Sequence, residues 1–195
     1  MEALFAVTIG YLAGSVPFAF LMARRRGVDL RRVGSGNVGA TNVLRTSGAA
    51  SAIAALCLDA AKGAVAVIVA ERLAGAPAAP VAAGLAAVIG HMHPVWLRFR
   101  GGMGVATAAG AFLVLATPAV LVAGAVFAVA TWITRYVSVG SIVAAVALAA
   151  ATVASGAPAA VSVGASIAAL IIVHGHRANL GRLVAGTERR IGQRI

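Results

Sequence analysis

The chain is 195 residues long, 61% hydrophobic and only 11% charged. A soluble domain of that length cannot hide so much apolar surface, whereas lipid tails solvate Ala, Val, Leu and Ile directly; composition therefore excludes a water-soluble globule and predicts an all-α, polytopic membrane bundle. The formal charge of +11 would suggest nucleic acid in a soluble chain, but these arginines punctuate apolar stretches, as topology signals and anion sites do, and no nucleic-acid partner is expected.

The first apolar stretch, 3–23, has Glu2 in front and Arg24, Arg25 and Arg26 behind, the reverse of a cleavable leader. Further stretches of about 20 residues, the length a helix needs to cross a bilayer, lie near 49–71, 80–97, 139–155 and 158–175. The uncharged stretch 104–134 exceeds one span, falls short of two full ones and holds Pro118 near its middle. Charge resolves it. Arg135 and the tail arginines (Arg177, Arg182, Arg189, Arg190, Arg194) share a side with Arg24–Arg32, Arg45, Arg98 and Arg100 only if 104–134 crosses twice. The expectation is a single domain, 1–195, of about seven transmembrane helices, with the N-terminus outside and the C-terminus cytoplasmic. Of 16 basic residues this leaves only Arg72 outside and Lys62 within a helix. The fourth and fifth helices must then be short, tilted or partly buried. The wealth of Ala, Gly and Val predicts close helix packing through small residues, and the single Cys57 excludes an internal disulfide.

Four polar clusters interrupt this background. In the first, from Gly34 to Arg45 (GSGNVGATNVLR), Gly34, Gly36 and Gly39 let backbone amides approach an anion. Ser35, Asn37, Thr41 and Asn42 add donors, and Arg45 offers a forked contact to phosphate. The bland alternative is a solvated connector. The second, Asp59-Ala-Ala-Lys62-Gly63, puts two charges on one face of a spanning helix, either as a functional pair or as an ion pair that aligns helices. The third, GHMHPVWLRFRGGMGVAT from Gly90 to Thr107, makes a tight turn of Gly101, Gly102 and Gly104 at a helix start. Amides there attract phosphate, with Arg98 and Arg100 nearby; a turn made for packing alone is the competing reading. The fourth runs from His174 through His176, Arg177, Asn179 and Arg182 to Glu188, with His176 and Asn179 on one face. His91, His93, His174 and His176 lack supporting acidic or thiolate ligands, so no metal is expected.

The strings SGNVGATNVLR, DAAKG, GHMHPVWLRFRGGMGVAT and HRANLGRLVAGTE together resemble the bacterial acyl-phosphate:glycerol-3-phosphate acyltransferases (PlsY-like). They stand in the family's order and spacing over nearly the whole chain. The resemblance implies an enzyme of phospholipid synthesis in the bacterial cell membrane, its site facing the cytoplasm. It would move a fatty acyl group from acyl phosphate to the 1-hydroxyl of glycerol 3-phosphate, giving lysophosphatidic acid and phosphate, without a cofactor. It implies catalytic roles for Ser35, His176 and Asn179. Substrate-binding roles fall on Gly36, Asn37, Gly39, Thr41, Asn42, Arg45, Lys62, Arg100, Gly101, Gly102, Met103 and Gly104, and structural ones on Asp59 and Glu188. Ser35 is read as a phosphate or oxyanion donor in preference to a nucleophile. The base is His176 or the acceptor's own phosphate. Expected partners are the two substrates and the bilayer; the oligomeric state is open.

One position departs from the family pattern: Met103 stands where the loop GGKG carries lysine. Losing one charge-assisted contact weakens phosphate binding by about 1.5–3 kcal/mol, roughly tenfold to a hundredfold. The competing functions are accordingly a weakened or inactive relative that partners lipid-synthesis enzymes, and a small anion transporter using the Asp59/Lys62 pair.

Overall fold

The computed structural model describes residues 1–193; Arg194, one of the tail arginines above, lies outside the described residues. Every regular element among the described residues is helical. In chain order they are α1 (Glu2–Ser15), α2 (Phe18–Arg24), α3 (Ala40–Ser47), α4 (Ala49–Leu73), α5 (Ala79–Met92), a single 3-10 turn (Val95–Leu97), α6 (Val105–Leu115), α7 (Thr117–Thr134), α8 (Val137–Ala154), α9 (Ala159–Gly175) and α10 (Arg177–Val184).

Proline marks several of the breaks. Val16, forced out of the helical region by Pro17, is extended at φ −62° and ψ 117°, and this divides the first apolar stretch into α1 and α2. Pro118 sits in the first turn of α7 and Pro158 caps α9, positions where a missing N–H costs nothing. The ambiguous 104–134 stretch is thus two helices parted at Ala116. Glu2–Arg24, α4, Ala79–Leu97, α7 and α8 have the length and apolarity of membrane spans, and α9 with α10, bent by 53°, makes a sixth candidate. With 11 residues, α6 is about 17 Å long, short of a bilayer core of roughly 30 Å.

The chain forms two compact units, Met1–Val114 and the residues from Leu115 on. In the first, α1 packs on α5 and α4 on α6 with almost no side chain between them. A Cβ added to Gly14 would strike the backbone of Ala87, one at Gly90 the backbone of Tyr11, one at Gly63 that of Thr107, and one at Gly110 that of Ala60. Helices in lipid gain little from burying apolar side chains against each other, so close backbone approach through small residues is the available attraction. A second core of Leu30, Val38, Val43, Ala52, Ala55 and Leu97 seats α2, α3 and the loop between them on α4. In the second unit, Gly140 of α8 fits against Phe127 and Thr131 of α7, while Trp132 and Ile133 point outward at 82% and 72% exposure. Such outward aromatic and aliphatic surface suits a hydrocarbon surround.

Candidate functional site

Between α2 and α3 the chain winds through a loop held by one amide. Asn42, 1% exposed, donates from Nδ2 to the carbonyls of Leu30 (3.2 Å), Val33 (3.1 Å) and Asn37 (3.0 Å), and its Oδ1 accepts from the N–H of Ser35 at 3.0 Å. Its polar atoms are therefore committed to the loop's shape. Gly34 and Gly36 supply the left-handed turns, at φ 63° and 73°. Ser35 and Gly36 are exposed at the tip, Asn37 and Gly39 half-buried, and Ser35 Oγ accepts from the N–H of Asn37 at 3.4 Å. Thr41 and Arg45, four residues apart and half-buried, share a face of α3. Asp29 clasps the start of the loop. It takes a two-pronged bond from Arg31 (3.0 and 2.8 Å) and stands 3.9 Å from both Arg24 and Arg32. The hydrogen bond from Arg31 holds its carboxyl down at about 2.

After α5 the chain doubles back. The 3-10 turn is followed by Arg98 and Phe99 in the left-handed region (φ 53° and 62°). The N–H of Gly101 then donates to Met92 O and that of Gly102 to His91 O, both at 3.0 Å. From the sequence all the glycine amides of this turn are expected to face phosphate; two of them instead close the loop onto α5. The amides that stay without a helical acceptor belong to the first turn of α6, just past Met103 and Gly104. Gly104, at φ 81°, has no room for a side chain against Val88 and Met92, and Gly102 none against the His91 ring. Met103 is half-buried; Arg98 and Arg100 are exposed.

Beside this turn lies a buried polar cluster. Lys62 Nζ is 2.8 Å from Asp59 Oδ1, donates to Val16 O at 2.9 Å and lies 5.8 Å from the centre of the Phe18 ring. His91 Nδ1 is 3.6 Å from the same Asp59 oxygen. The carbonyl that Pro17 exposes by breaking the helix is thus what Lys62 binds. The cluster lines a cleft of about 10 Å³, space for one water at most. Lys62, expected at the substrate, has its charge engaged by Asp59 and Val16, which favours the ion-pair reading of that motif. No sequence signal pointed to His91 as Asp59's neighbour, because α5 lies far from α4's Asp59 in the chain. Asp29 was missed too, although an acidic residue just before two arginines is a visible hint.

In the second unit α9 ends at Gly175 and the chain bends at His176. This side chain is 4% exposed and its Nδ1 lies 2.8 Å from Ile172 O. A carbonyl only accepts, so Nδ1 carries a proton, and in the neutral ring Nε2 keeps its lone pair. Asn179, one turn on, donates from Nδ2 to Glu188 Oε1 at 2.8 Å, and Arg182 Nε donates to Oε2 at 2.7 Å. Burial would raise the Glu188 carboxyl, but hydrogen bonds from Asn179, Arg182 and Ser138 outweigh it and hold it below its ordinary value. Glu188 thereby ties the C-terminal segment to α10. Asn179 Oδ1 is buried without a hydrogen-bond partner.

Comparison with known proteins identifies the family of the chain. Residues 4–186 match the family model described as glycerol-3-phosphate acyltransferase. The chain is 50% identical over 192 residues to the glycerol-3-phosphate acyltransferase of Anaeromyxobacter sp. (strain Fw109-5), with 95% of this chain and 94% of the relative covered. It is 43% identical over 195 residues to that of Synechococcus sp. (strain CC9902), covering 100% and 98%. Among solved structures, PlsY (YgiH), an integral membrane glycerol 3-phosphate acyltransferase, in its glycerol 3-phosphate form superposes with a TM-score of 0.94 at 39% identity, covering 98% of this chain and 96% of that one. Its lysophosphatidic acid form gives 0.92 at 37% identity. A fold shared at this level over nearly the full length, with apolar helices of spanning length, makes this a multi-pass integral membrane protein, and the chain belongs to the glycerol-3-phosphate acyltransferase family.

Proposed function

We propose that this protein transfers a fatty acyl group from acyl phosphate to the 1-hydroxyl of glycerol 3-phosphate. The hydroxyl oxygen attacks the acyl carbonyl, a C–O ester bond forms, and the carbonyl–phosphate bond breaks with its electron pair leaving on inorganic phosphate. The product is 1-acyl-glycerol 3-phosphate. A mixed anhydride carries its own good leaving group, so the enzyme's work is to hold two phosphates, align the hydroxyl and stabilise the oxyanion. The observation that carries this reading is the close likeness over the whole chain to an enzyme solved in forms with glycerol 3-phosphate and with lysophosphatidic acid.

Geometry and chemistry support the following roles. Ser35, at the exposed tip of a loop that Asn42 braces, donates to a phosphate or oxyanion. Gly36, Asn37, Gly39 and Thr41 shape and line that loop, and Arg45 supplies charge. The turn of Gly101, Gly102, Met103 and Gly104 presents the amides of α6 to the glycerol 3-phosphate phosphate, with Arg100 adding positive potential. His176, with Nε2 unprotonated, takes the hydroxyl proton. Asn179 is held by Glu188. Both units belong to one acyltransferase domain, crossing a bacterial plasma membrane seven times with α6 as a short segment, the N-terminus outside and the basic loops and reacting groups at the cytoplasmic rim.

The test is direct. Purified protein mixed with acyl phosphate and glycerol 3-phosphate releases phosphate and lysophosphatidate in equal amounts; a flat trace in which neither substrate is consumed overturns the reading. His176→Gln abolishes turnover if Nε2 is the base, and leaves most of it if the acceptor's phosphate takes the proton.

A further inference from the structure

The buried cluster of Asp59, Lys62 and His91 contacts no reacting atom in the scheme above, yet one side of it touches the glycine turn. The three side chains are 2%, 6% and 8% exposed as residues and come from α4 and α5. Asp59 faces His91 Nδ1 at 3.6 Å and Lys62 Nζ at 2.8 Å, and Lys62 reaches across to the α1–α2 break at Val16 O. One edge of the imidazole therefore lies against the Asp59 carboxylate. The other edge meets Gly102: the three atoms a Cβ on Gly102 would encounter first, Nε2, Cε1 and Cδ2, all belong to the His91 ring. The peptide of the same residue holds the turn as well, His91 O accepting from the N–H of Gly102 at 3.0 Å and Met92 O from that of Gly101.

We propose that His91 is a positioning residue for the glycine turn, its imidazole being the wall, braced by Asp59, against which Gly102 seats and from which the first amides of α6 take their place. In the sequence His91 stands out only as one of four histidines that do not make a metal site. Asp59 and Lys62 then act through His91, which explains why a buried ion pair stands beside a phosphate turn. A displaced turn would misalign those amides and weaken their hold on the phosphate of glycerol 3-phosphate. This inference rests on the reading that the turn binds glycerol 3-phosphate.

A double-mutant cycle tests it. Gly102→Ala places a methyl against the ring and is expected to raise the KM for glycerol 3-phosphate tenfold or more, with kcat less affected. His91→Ala unseats the turn and raises KM severalfold. Because the ring is what the methyl strikes, Gly102→Ala combined with His91→Ala recovers at least threefold in KM over Gly102→Ala alone. Losses that multiply in the double variant overturn the proposal, as does a His91→Ala enzyme that loses kcat with KM unchanged, the mark of a chemical role. Should His91→Ala fail to fold, judged by its melting temperature, His91→Asn, which keeps a donor towards Asp59 and removes the wall, completes the cycle. If the wild-type protein transfers no acyl group, the functional reading fails separately, and the cycle is measured as the calorimetric Kd for glycerol 3-phosphate. Absence of glycerol 3-phosphate binding by the wild type overturns both.

Discussion

Replacing Asn42 with Leu, which has the same branching and the same number of heavy atoms, removes the brace of the Ser35 loop without opening a cavity. The side chain is 1% exposed and its amide serves three carbonyls while its oxygen accepts the Ser35 N–H. Two amide protons cannot satisfy three carbonyls fully, so the loss is closer to three bonds than four. At about 1 kcal/mol for each bond, and with part of the freed backbone able to reach water, the loop is destabilised by about 2–4 kcal/mol. That lowers the population of the ordered loop by roughly thirtyfold to a thousandfold relative to its open forms. Global unfolding changes less, because the helices beneath stay packed. The expected result is faster hydrogen exchange confined to residues 30–42 and a fall of at least tenfold in kcat/KM, with the helical melting transition lowered only slightly. Asn42→Asp keeps the acceptor for Ser35 but turns the donor into a buried acceptor facing three carbonyls, and is expected to be as damaging. An Asn42→Leu enzyme with wild-type exchange and kinetics refutes the account of the loop as a structure held by one side chain.

Restoring lysine by Met103→Lys is expected to lower the KM for glycerol 3-phosphate by roughly tenfold to a hundredfold, the worth of one charge-assisted contact; wild-type and Lys enzymes with indistinguishable kinetics would mean the phosphate is held elsewhere. Glu188→Ala strips Asn179 and Arg182 of their shared acceptor and lowers activity tenfold or more, whereas Glu188→Gln keeps one oxygen for Asn179 and retains most of it. Equal losses in the two variants, assayed side by side, count against the tether. The depressed carboxyl of Asp29 stabilises the α2–α3 loop at all pH values above its ordinary pKa of 3.8, and that contribution fades as pH falls towards about 2. In melting experiments across this window, Asp29→Asn is expected to show a shallower acid dependence than wild type; parallel curves would mean the clasp adds nothing.

How much of this was legible in the sequence varies by element. The spans at α4, α8 and α9 fall within a few residues of their structural bounds, since about 20 apolar residues carry an unmistakable signal. The side on which the arginines must fall, with Pro118 near the middle, likewise pointed to a division of 104–134, which parts at Ala116, and residue types alone picked out the Ser35 loop and the glycine turn. What stayed hidden was the direction of hydrogen bonds. Asn42 looks like any loop amide until its four bonds are traced inward, and Gly101 and Gly102 look like phosphate donors until their N–H groups are found on α5. The Asp59–His91 contact depends on the packing of α4 against α5, which no local pattern encodes. The 53° bend at His176 was equally invisible, because neither proline nor a charge run marks it.

Where α4 meets α6, and α1 meets α5, backbone rests on backbone. The usual rule for which positions tolerate change is therefore turned over. Outward-facing Leu, Val and Ile are expected to interchange with little effect, since one aliphatic tail is much like another to a lipid. At Gly14, Gly63, Gly90 and Gly110 even a methyl group must push two helices apart, so the strictest constraint on how this family of sequences drifts rests on its smallest residues.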